Sequence, residues 1–136
     1  MGGIICNGMD SSESNDYDAE LCARWIQLST FSPLFLVKTQ AADENIFLGE
    51  DLLNVFQETI KLRNSLIPHI YTILLNSTSN CSLLRPLFFS FPNDTNIFNF
   101  SNITNNQFTL GKTLLVTPIL KQSTNSTYAY FPSSNW

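Results

Sequence analysis

Two stretches of the chain carry apolar residues at the three- and four-residue spacing of an amphipathic helix. The first follows Asp18, which is placed to cap a helix N-terminus, and it ends near Pro33, since a proline disfavours helical backbone before it. Its apolar face is Leu21, Cys22, Trp25 and Leu28. The second begins at Glu50, where negative charge favours a helix start, and Pro68 predicts a kink within it. Its apolar face is Phe56, Ile60, Ile67, Ile70 and Leu74.

Short apolar or alternating runs, bounded by turn-forming residues, predict the strands. We expect strands at residues 1–6, 83–91, 108–110, 113–116 and 127–131. The first two have the near-continuous apolar pattern of buried strands, and Pro86 belongs near a strand end because it cannot donate to a ladder. The third and fourth flank a turn at Gly111 and Lys112. Polar connections are predicted at residues 7–16, 37–45, 76–82 and 93–106.

Composition narrows the class of protein. The chain has 136 residues, room for one ordinary domain, and its hydrophobic content of 43% supports a core. Charged residues make up 13%, about half the usual share, so we expect other protein to cover much of the surface. A net charge of −4 argues against nucleic acid and anionic membranes as partners. No apolar run approaches the roughly 20 residues of a membrane span.

Asparagine sequons point to the secretory pathway. Asn-x-Ser/Thr occurs at Asn76, Asn80, Asn93, Asn99, Asn102 and Asn125. The first five fall in a polar region that is predicted to be exposed. The N-terminus has no basic segment leading into an apolar stretch, so no signal peptide is visible. We therefore expect the chain to be an internal or truncated segment of a longer protein.

Three blocks of sequence follow one another in a recognisable order. They are Glu-Leu-Cys-Ala-Arg-Trp-Ile-Gln-Leu at 20–28, Arg-Pro-Leu-Phe-Phe-Ser-Phe-Pro at 85–92, and Phe-Thr-Leu-Gly-Lys-Thr-Leu-Leu-Val-Thr-Pro-Ile-Leu at 108–120. In this order and spacing they closely resemble the end of the catalytic barrel in glycoside hydrolase family 31, the α-glucosidase family. Further matching positions are Gly2, Ile5, Cys6, Phe31, Pro33, Arg63, Leu66, Pro68, Gln107 and Trp136.

The resemblance implies an α/β fold that is part of a (β/α)8 TIM barrel, with the last two strands and helices, followed by the beginning of a β-sandwich domain. It places residues 1–112 in the barrel and residues 113–136 at the start of the β-domain. We expect the strands at 3–6 and 83–89 to lie side by side, with the two helices on one flank. Two barrel strands without their neighbours would not form a stable closed domain.

For activity, the resemblance implies a retaining glycosidase that acts on an α-linked glucoside or oligosaccharide, in a lysosomal-like or extracellular setting. The family uses two aspartates on earlier strands, and neither has a counterpart here, so we expect no catalytic residue and no activity in this chain alone. Three family pocket positions fall at Ile4, Gly8 and Lys38, where the family has an aspartate, an aromatic residue and a histidine. All three are changed, so an intact sugar pocket is not expected.

The resemblance also implies a disulfide between Cys6 and Cys22, which are bonded in some secreted relatives, and leaves Cys81 over. Three cysteines and one histidine do not form a zinc site of recognisable spacing, and no cofactor is predicted. The acids Glu13, Asp16, Asp18 and Glu20 are expected to be solvated or to cap the first helix.

Several residues invite a functional role that a structural one explains better. Lys38 is expected to be a surface lysine in a loop, and His69 a hydrogen-bonded structural histidine. Arg85 is expected to make structural hydrogen bonds. Trp25, Phe88 and Phe89 could stack on a sugar, but they are expected to be core residues. Two functions stay open: part of an α-glucosidase-type hydrolase, or a non-catalytic relative that acts as a structural or carbohydrate-interacting glycoprotein.

Overall fold

The computed structural model describes residues 3–6, 19–39, 50–76 and 82–132, with the backbone alone at residues 3–6 and 37–39. The chain divides into two compact units, Met1–Pro68 and His69–Trp136. The first unit contains a strand–helix–strand arrangement and the beginning of a long helix. The second contains the end of that helix and an antiparallel sheet.

The first unit begins with strand β1 (Gly3–Cys6), helix α1 (Ala19–Ser29) and strand β2 (Leu36–Thr39). The strands pair in parallel, with Gly3 opposite Leu36 and Cys6 opposite Thr39. Parallel neighbours need a crossover connection, and α1 supplies it. The prediction of a strand at residues 1–6 is confirmed for residues 3–6. The loop predicted from residue 37 is wrong at residues 37–39, because β1 recruits this segment into its ladder.

Helix α1 begins one residue after the predicted cap at Asp18, which lies outside the described residues. Its buried face is Cys22, Ile26 and Ser29, at the four- and three-residue spacing of a helix. Trp25 is 49% exposed, so the prediction that it belongs to the core is wrong. The buried stripe lies one position further along the helix than the predicted one, and it packs with Leu52.

Helix α2 (Glu50–Asn76) begins at the predicted acidic pair and contains Pro68. Leu52 and Thr59, seven residues apart, are buried in the first unit. In the second unit, Ile70 is buried, whereas Leu74 is 46% exposed. The predicted apolar face of this helix is therefore only partly covered. None of the described helices is long and apolar enough to cross a membrane.

The second unit contains strands β3 (Leu84–Pro86), β4 (Phe108–Leu110) and β5 (Leu114–Val116) in an antiparallel sheet of that order. Because β3 pairs with β4 and β1 pairs with β2, the predicted pairing of the strands at 3–6 and 83–89 is wrong. The buried apolar side chains of this unit are Ile70, Leu83, Leu87, Ile97, Leu110 and Val116. They form its interior around the sheet.

Gly111 makes the turn between β4 and β5, as predicted, with a φ of 63°. This left-handed conformation is accessible to glycine without steric cost. A Cβ atom at this position would lie 2.7 Å from Cδ1 of Ile73 on α2. The backbone angle therefore favours glycine here, and any other residue would also have to displace the end of the Ile73 side chain.

The run predicted as a strand at residues 83–91 is wrong beyond Pro86. The chain turns there into a short helix, α3 (Leu87–Ser90), because the amide of Phe91 donates to the carbonyl of Leu87. Two more short helices, α4 (Asn96–Asn99) and α5 (Ser101–Thr104), lie in the predicted connection at 93–106. The strand predicted at residues 127–131 does not form; that segment is irregular.

Candidate functional site

The carboxyl ends of β1 and β2 lie at one edge of their parallel pair. In barrel folds this edge carries the binding and catalytic groups. Ile4 is opposite Val37, and Lys38 is opposite Ile5, so two of the three predicted pocket positions fall on neighbouring strands. The prediction that Lys38 lies in a loop is wrong, because β2 contains it. Gly8 lies outside the described residues.

Arg63 on α2 holds the turn that leads from α1 into β2. Its Nη1 donates to the carbonyl oxygens of Thr30 and Ser32, each at 2.7 Å. Its Nη2 donates to the carbonyl of Pro33 at 3.1 Å. The carbonyl of Ser29 lies 3.5 Å from Nη1. The planar fork of five N–H donors allows one arginine to reach successive carbonyls of a tight turn.

The surroundings of Arg63 favour a fixed side chain. Its guanidinium carbon lies 5.3 Å from the centre of the Phe35 ring, within the range of a cation–π contact. Phe35 in turn packs against Phe56, with ring centres 6.2 Å apart. Burial lowers the pKa of Arg63 from its usual value, and arginine still keeps its charge in a protein. We therefore interpret Arg63 as the residue that positions the start of β2.

Cys6 and Cys22 both lie in the first unit, on neighbouring elements. Cys6 is the last residue of β1, and Cys22 lies on the buried face of α1, 6% exposed. The Cys6 side chain and Cys81 lie outside the described residues. The pairing of Cys6 with Cys22 stays a prediction.

In the second unit, Gln107 joins two distant parts of the chain. This side chain is 3% exposed, and its Nε2 donates to Oγ1 of Thr117 at 2.8 Å. Its Oε1 accepts from the backbone amide of Tyr130 at 3.0 Å, and Nε2 lies 3.4 Å from the Tyr130 carbonyl. One side-chain amide thus bonds both backbone groups of Tyr130, as a neighbouring strand would. We call Gln107, Thr117 and Tyr130 the amide clasp.

The Tyr130 ring is held independently. Its hydroxyl donates to Oδ2 of Asp94 at 2.8 Å, and its ring centre lies 5.7 Å from that of Phe100. Desolvation, and then the hydrogen bond and negative charge of Asp94, raise the pKa of Tyr130 above its usual value of 10.0. The neutral phenol is therefore the favoured form. No pattern of residues along the chain predicts the contact between Tyr130 and Asp94.

Of the residues expected to be structural, His69 and Arg85 make hydrogen bonds, whereas Phe88 and Phe89 are exposed. Nε2 of His69 lies 3.1 Å from Oγ1 of Thr113, and Nε of Arg85 donates to the Ser82 carbonyl at 3.0 Å. Both predictions are confirmed. Phe88 and Phe89 are 51% and 58% exposed, so the prediction that they pack inside the protein is wrong. The helical turn α3 replaces the strand that would have buried them.

Of the four acids considered in the sequence, the structure describes Glu20, which makes a local contact. Glu20 lies in the first turn of α1 and forms an ion pair with Arg24 one turn later, as the predicted role at a helix start implies. Glu13, Asp16 and Asp18 lie outside the described residues. Within the described ranges, no group of three or more His, Cys, Asp or Glu residues could hold a metal ion.

The sequons lie on exposed backbone where the structure describes them. Asn76 ends α2, Asn99 ends α4 and Asn102 lies on α5; these, Asn93 and Asn125 are exposed. Asn80 lies outside the described residues. Exposure is what a glycan acceptor in a finished protein requires.

Comparisons with known protein families match both parts of the chain. The TIM-barrel domain of glycosyl hydrolases family 31 matches residues 1–73. The C-terminal domain of glycosyl hydrolase family 31 matches residues 80–136. The first match covers more than half of the chain. The antiparallel sheet β3–β4–β5 lies within the second match, as a barrel portion followed by a β-domain would have it.

Individual relatives agree with the family matches. A probable alpha-glucosidase of Oryza sativa subsp. japonica is 33% identical over 140 residues, which cover 100% of this chain and 15% of the relative. Alpha-glucosidase 2 of Bacillus thermoamyloliquefaciens is 32% identical over 141 residues, or 100% of this chain and 17% of the relative. Glucoamylase 1 of Candida albicans is 32% identical and is covered to 14%. The chain therefore spans about a sixth of the length of these relatives.

A solved structure gives the same assignment. The crystal structure of a family 31 alpha-glucosidase from Bacteroides thetaiotaomicron has a TM-score of 0.62 and 26% sequence identity to this chain, with 78% of this chain and 18% of that chain covered. Two family profiles in chain order, relatives at about one-third identity and a matching fold agree with one another. The chain belongs to glycosyl hydrolase family 31.

Proposed function

We propose that the chain is part of a protein of the α-glucosidase type, which hydrolyses α-linked glucosides or oligosaccharides with retention. In this proposal it contributes part of the barrel and the start of the following β-domain. The observation that carries it is the match of both family domains, in order, together with relatives named as alpha-glucosidases.

The catalytic carboxylates are proposed to lie elsewhere in such a protein. A retaining glycosidase needs two carboxyl groups about 5–5.5 Å apart, on opposite sides of the bond that is cleaved. In the described residues, Glu20 is paired with Arg24, Glu58 with Lys61, and Asp94 accepts the Tyr130 hydroxyl. These partners support a structural role for the acids.

The edge formed by the carboxyl ends of β1 and β2 is proposed to bind sugar poorly with its present residues. Isoleucine at position 4 cannot accept a hydrogen bond from a sugar hydroxyl, as the family aspartate would, and an unpaired buried hydroxyl costs about 1–3 kcal/mol. Lys38 replaces a neutral ring with a flexible cation. The backbone register supports the relevance of both changes, because Ile4 and Lys38 lie on paired strands. These changes also favour the second candidate, a non-catalytic, carbohydrate-interacting relative.

The activity of the chain alone tests the proposed absence of catalytic residues. The 136-residue chain alone is expected to release no p-nitrophenol from an α-glucoside above a mock preparation, between mildly acidic and neutral pH. Release at any such pH would contradict the proposed absence of catalytic residues.

The decisive test is a chimera in which this chain replaces the matching segment of the Bacillus thermoamyloliquefaciens relative. Under the proposed hydrolase function the chimera is expected to keep reduced but measurable activity, and Ile4→Asp with Lys38→His is expected to raise it. The exposed Lys61→Ala change serves as the control that should not raise it. A folded chimera without activity would favour the second candidate, the non-catalytic relative.

We also propose a secretory location, lysosomal-like or extracellular, with glycans on the sequons. The exposed asparagines support it, as does the buried Cys22 on a helix that packs beside β1, the strand that Cys6 ends. A Cys6–Cys22 disulfide closes a loop of about 15 residues, worth up to about 3 kcal/mol in the chain-entropy model. Peptide mapping without reduction is expected to find the linked pair; alkylation of both thiols would refute it.

A further inference from the structure

The sequons at Asn93, Asn99 and Asn102 differ in a way that the sequence does not reveal. Glycan transfer requires the Ser or Thr two residues after the asparagine as well as the asparagine itself. Thr95 and Ser101, which serve the first two, are exposed. Thr104, which serves Asn102, is 5% exposed. Asn102 thus displays its amide on the surface while its partner hydroxyl is buried.

Thr104 is also engaged through its polar atoms. Its Oγ1 lies 2.8 Å from the carbonyl oxygen of Ile97 and 3.2 Å from that of Phe100, and it donates to these carbonyls. Its backbone amide donates to the carbonyl of Phe100 at 3.0 Å. The hydroxyl therefore ties α5 to α4, and Ile97 beside it is 3% exposed. Reaching the hydroxyl requires that this turn open.

We propose that folding controls which of these sequons accepts a glycan: Asn102 is an acceptor only before the α4–α5 turn forms, whereas Asn93 and Asn99 remain acceptors afterwards. The inference rests on the secretory location proposed above. In the reaction, Nδ2 of the asparagine bonds to the anomeric carbon of an oligosaccharide carried on a lipid diphosphate. The bond from that carbon to the diphosphate oxygen breaks, the diphosphate leaves with the electron pair, and the amide loses one proton.

The expected selectivity follows from the cost of opening the turn. A transfer enzyme that reads the Thr104 hydroxyl must displace its hydrogen bonds and expose a buried turn, whereas Ser101 requires no such change. The folded chain is therefore expected to be modified at Asn102 at least about tenfold more slowly than at Asn99, and the unfolded chain at comparable rates.

The test uses the chimera described above, which supplies the rest of the barrel, and purified oligosaccharyltransferase with its lipid-linked oligosaccharide. Glycopeptide mass spectrometry follows each sequon in chain that was unfolded in denaturant and diluted immediately before transfer, and in chain allowed to refold first. Hydrogen exchange of the Thr104 amide in the refolded acceptor reports whether the turn has formed. Ile97→Ala, which changes neither sequon, is expected to raise modification of Asn102 relative to Asn99. The matched control Asn106→Ala, an exposed position, is expected to leave the ratio unchanged.

Each outcome decides one proposal. Slow modification of Asn102 with a protected Thr104 amide supports folding control. Equal modification of Asn99 and Asn102 in the folded acceptor, or an unprotected Thr104 amide, overturns it. If the unfolded chain is modified at neither sequon, the proposed glycosylation fails, and the folding control fails with it.

Discussion

Replacement of Arg63 tests the claim that one guanidinium holds the turn between α1 and β2. We expect Arg63→Ala to loosen residues 30–33 selectively, because the carbonyls of Thr30, Ser32 and Pro33 lose their donor together. Thr30 is 1% exposed and Ser32 is 8% exposed, so these two residues depend on Arg63 more than Pro33 does, which is exposed to water. The cation–π contact with Phe35 is lost as well.

The magnitude can be worked from these contacts. A hydrogen bond to a charged group contributes about 1.5–3 kcal/mol, and three of them give a gross loss above 4 kcal/mol. Opening of the turn restores water to the carbonyls, and the desolvation that lowers the pKa of Arg63 is relieved in the variant. We therefore expect a net loss of about 2–3 kcal/mol in the free energy of local opening. That corresponds to an increase of about 30- to 150-fold in the open population.

Hydrogen exchange measures this opening directly. The amides of Phe31 and Ser32 lie in the turn and donate to the carbonyls of Leu28 and Ser29 at the end of α1, so their exchange reports on the turn. Arg63→Lys keeps the charge but not the fork of N–H donors, so its amide exchange rates should lie between those of the wild type and Arg63→Ala. Lys61→Ala, two residues away on the same helix, removes a surface ion pair and should change exchange by less than about threefold. Equal exchange in the Arg63→Ala and Lys61→Ala variants would refute the reasoning.

Further predictions concern the second unit and the whole chain. Gly111→Ala is expected to lower the free energy of unfolding by about 2–4 kcal/mol, because of the positive φ and the contact of the added Cβ with Ile73. Ile73→Val, added to this variant, should recover part of the loss. An unchanged free energy of unfolding in urea for Gly111→Ala would contradict the close approach. The phenolate titration of Tyr130, isolated by difference from Tyr130→Phe, should have its midpoint above 10, and Asp94→Asn should lower it. Because the pKa of Tyr130 is raised on folding, its contribution to stability is fully present below the pKa of the unfolded state and is lost as the pH rises through the pKa of the folded state. A titration midpoint that Asp94→Asn leaves unchanged would count against the contact. The isolated chain is expected to aggregate rather than unfold cooperatively, so the variants above are measured in the chimera. A monodisperse monomer of the isolated chain with a sharp thermal transition would refute this expectation.

Sequence patterns predicted the long elements and missed short ones for identifiable reasons. Helix α2 follows from its acidic start and its apolar spacing, and Gly111 from the need for a turn. The apolar run after Pro86 was predicted as strand because periodicity cannot separate a short buried strand from a helical turn. In the structure, a single backbone bond from Phe91 to Leu87 favours the turn. Strand β2 exists only through its pairing with β1, which is distant in sequence.

The candidate site shows the same division. The family positions at Ile4 and Lys38 could be placed from resemblance, and the strand register puts them on neighbouring strands. The role of Arg63 could not be predicted, because its acceptors are backbone carbonyls some 30 residues away, which carry no side-chain signal. In the segment predicted as a strand at 127–131, both backbone groups of Tyr130 are bonded to the Gln107 side chain, a contact that no periodicity predicts.

The amide clasp bears on how this part of the chain tolerates change in length. Gln107 bonds Thr117 and Tyr130 together, so the loop of residues 118–129 begins and ends at the same side chain. The cost of closing a flexible loop grows only with the logarithm of its length, about 0.6 kcal/mol for each doubling. Insertions and deletions between Thr117 and Tyr130 are therefore expected to leave Tyr130 bonded to Gln107. Length variation among related proteins is expected to accumulate in this loop, while a glutamine is retained at its base.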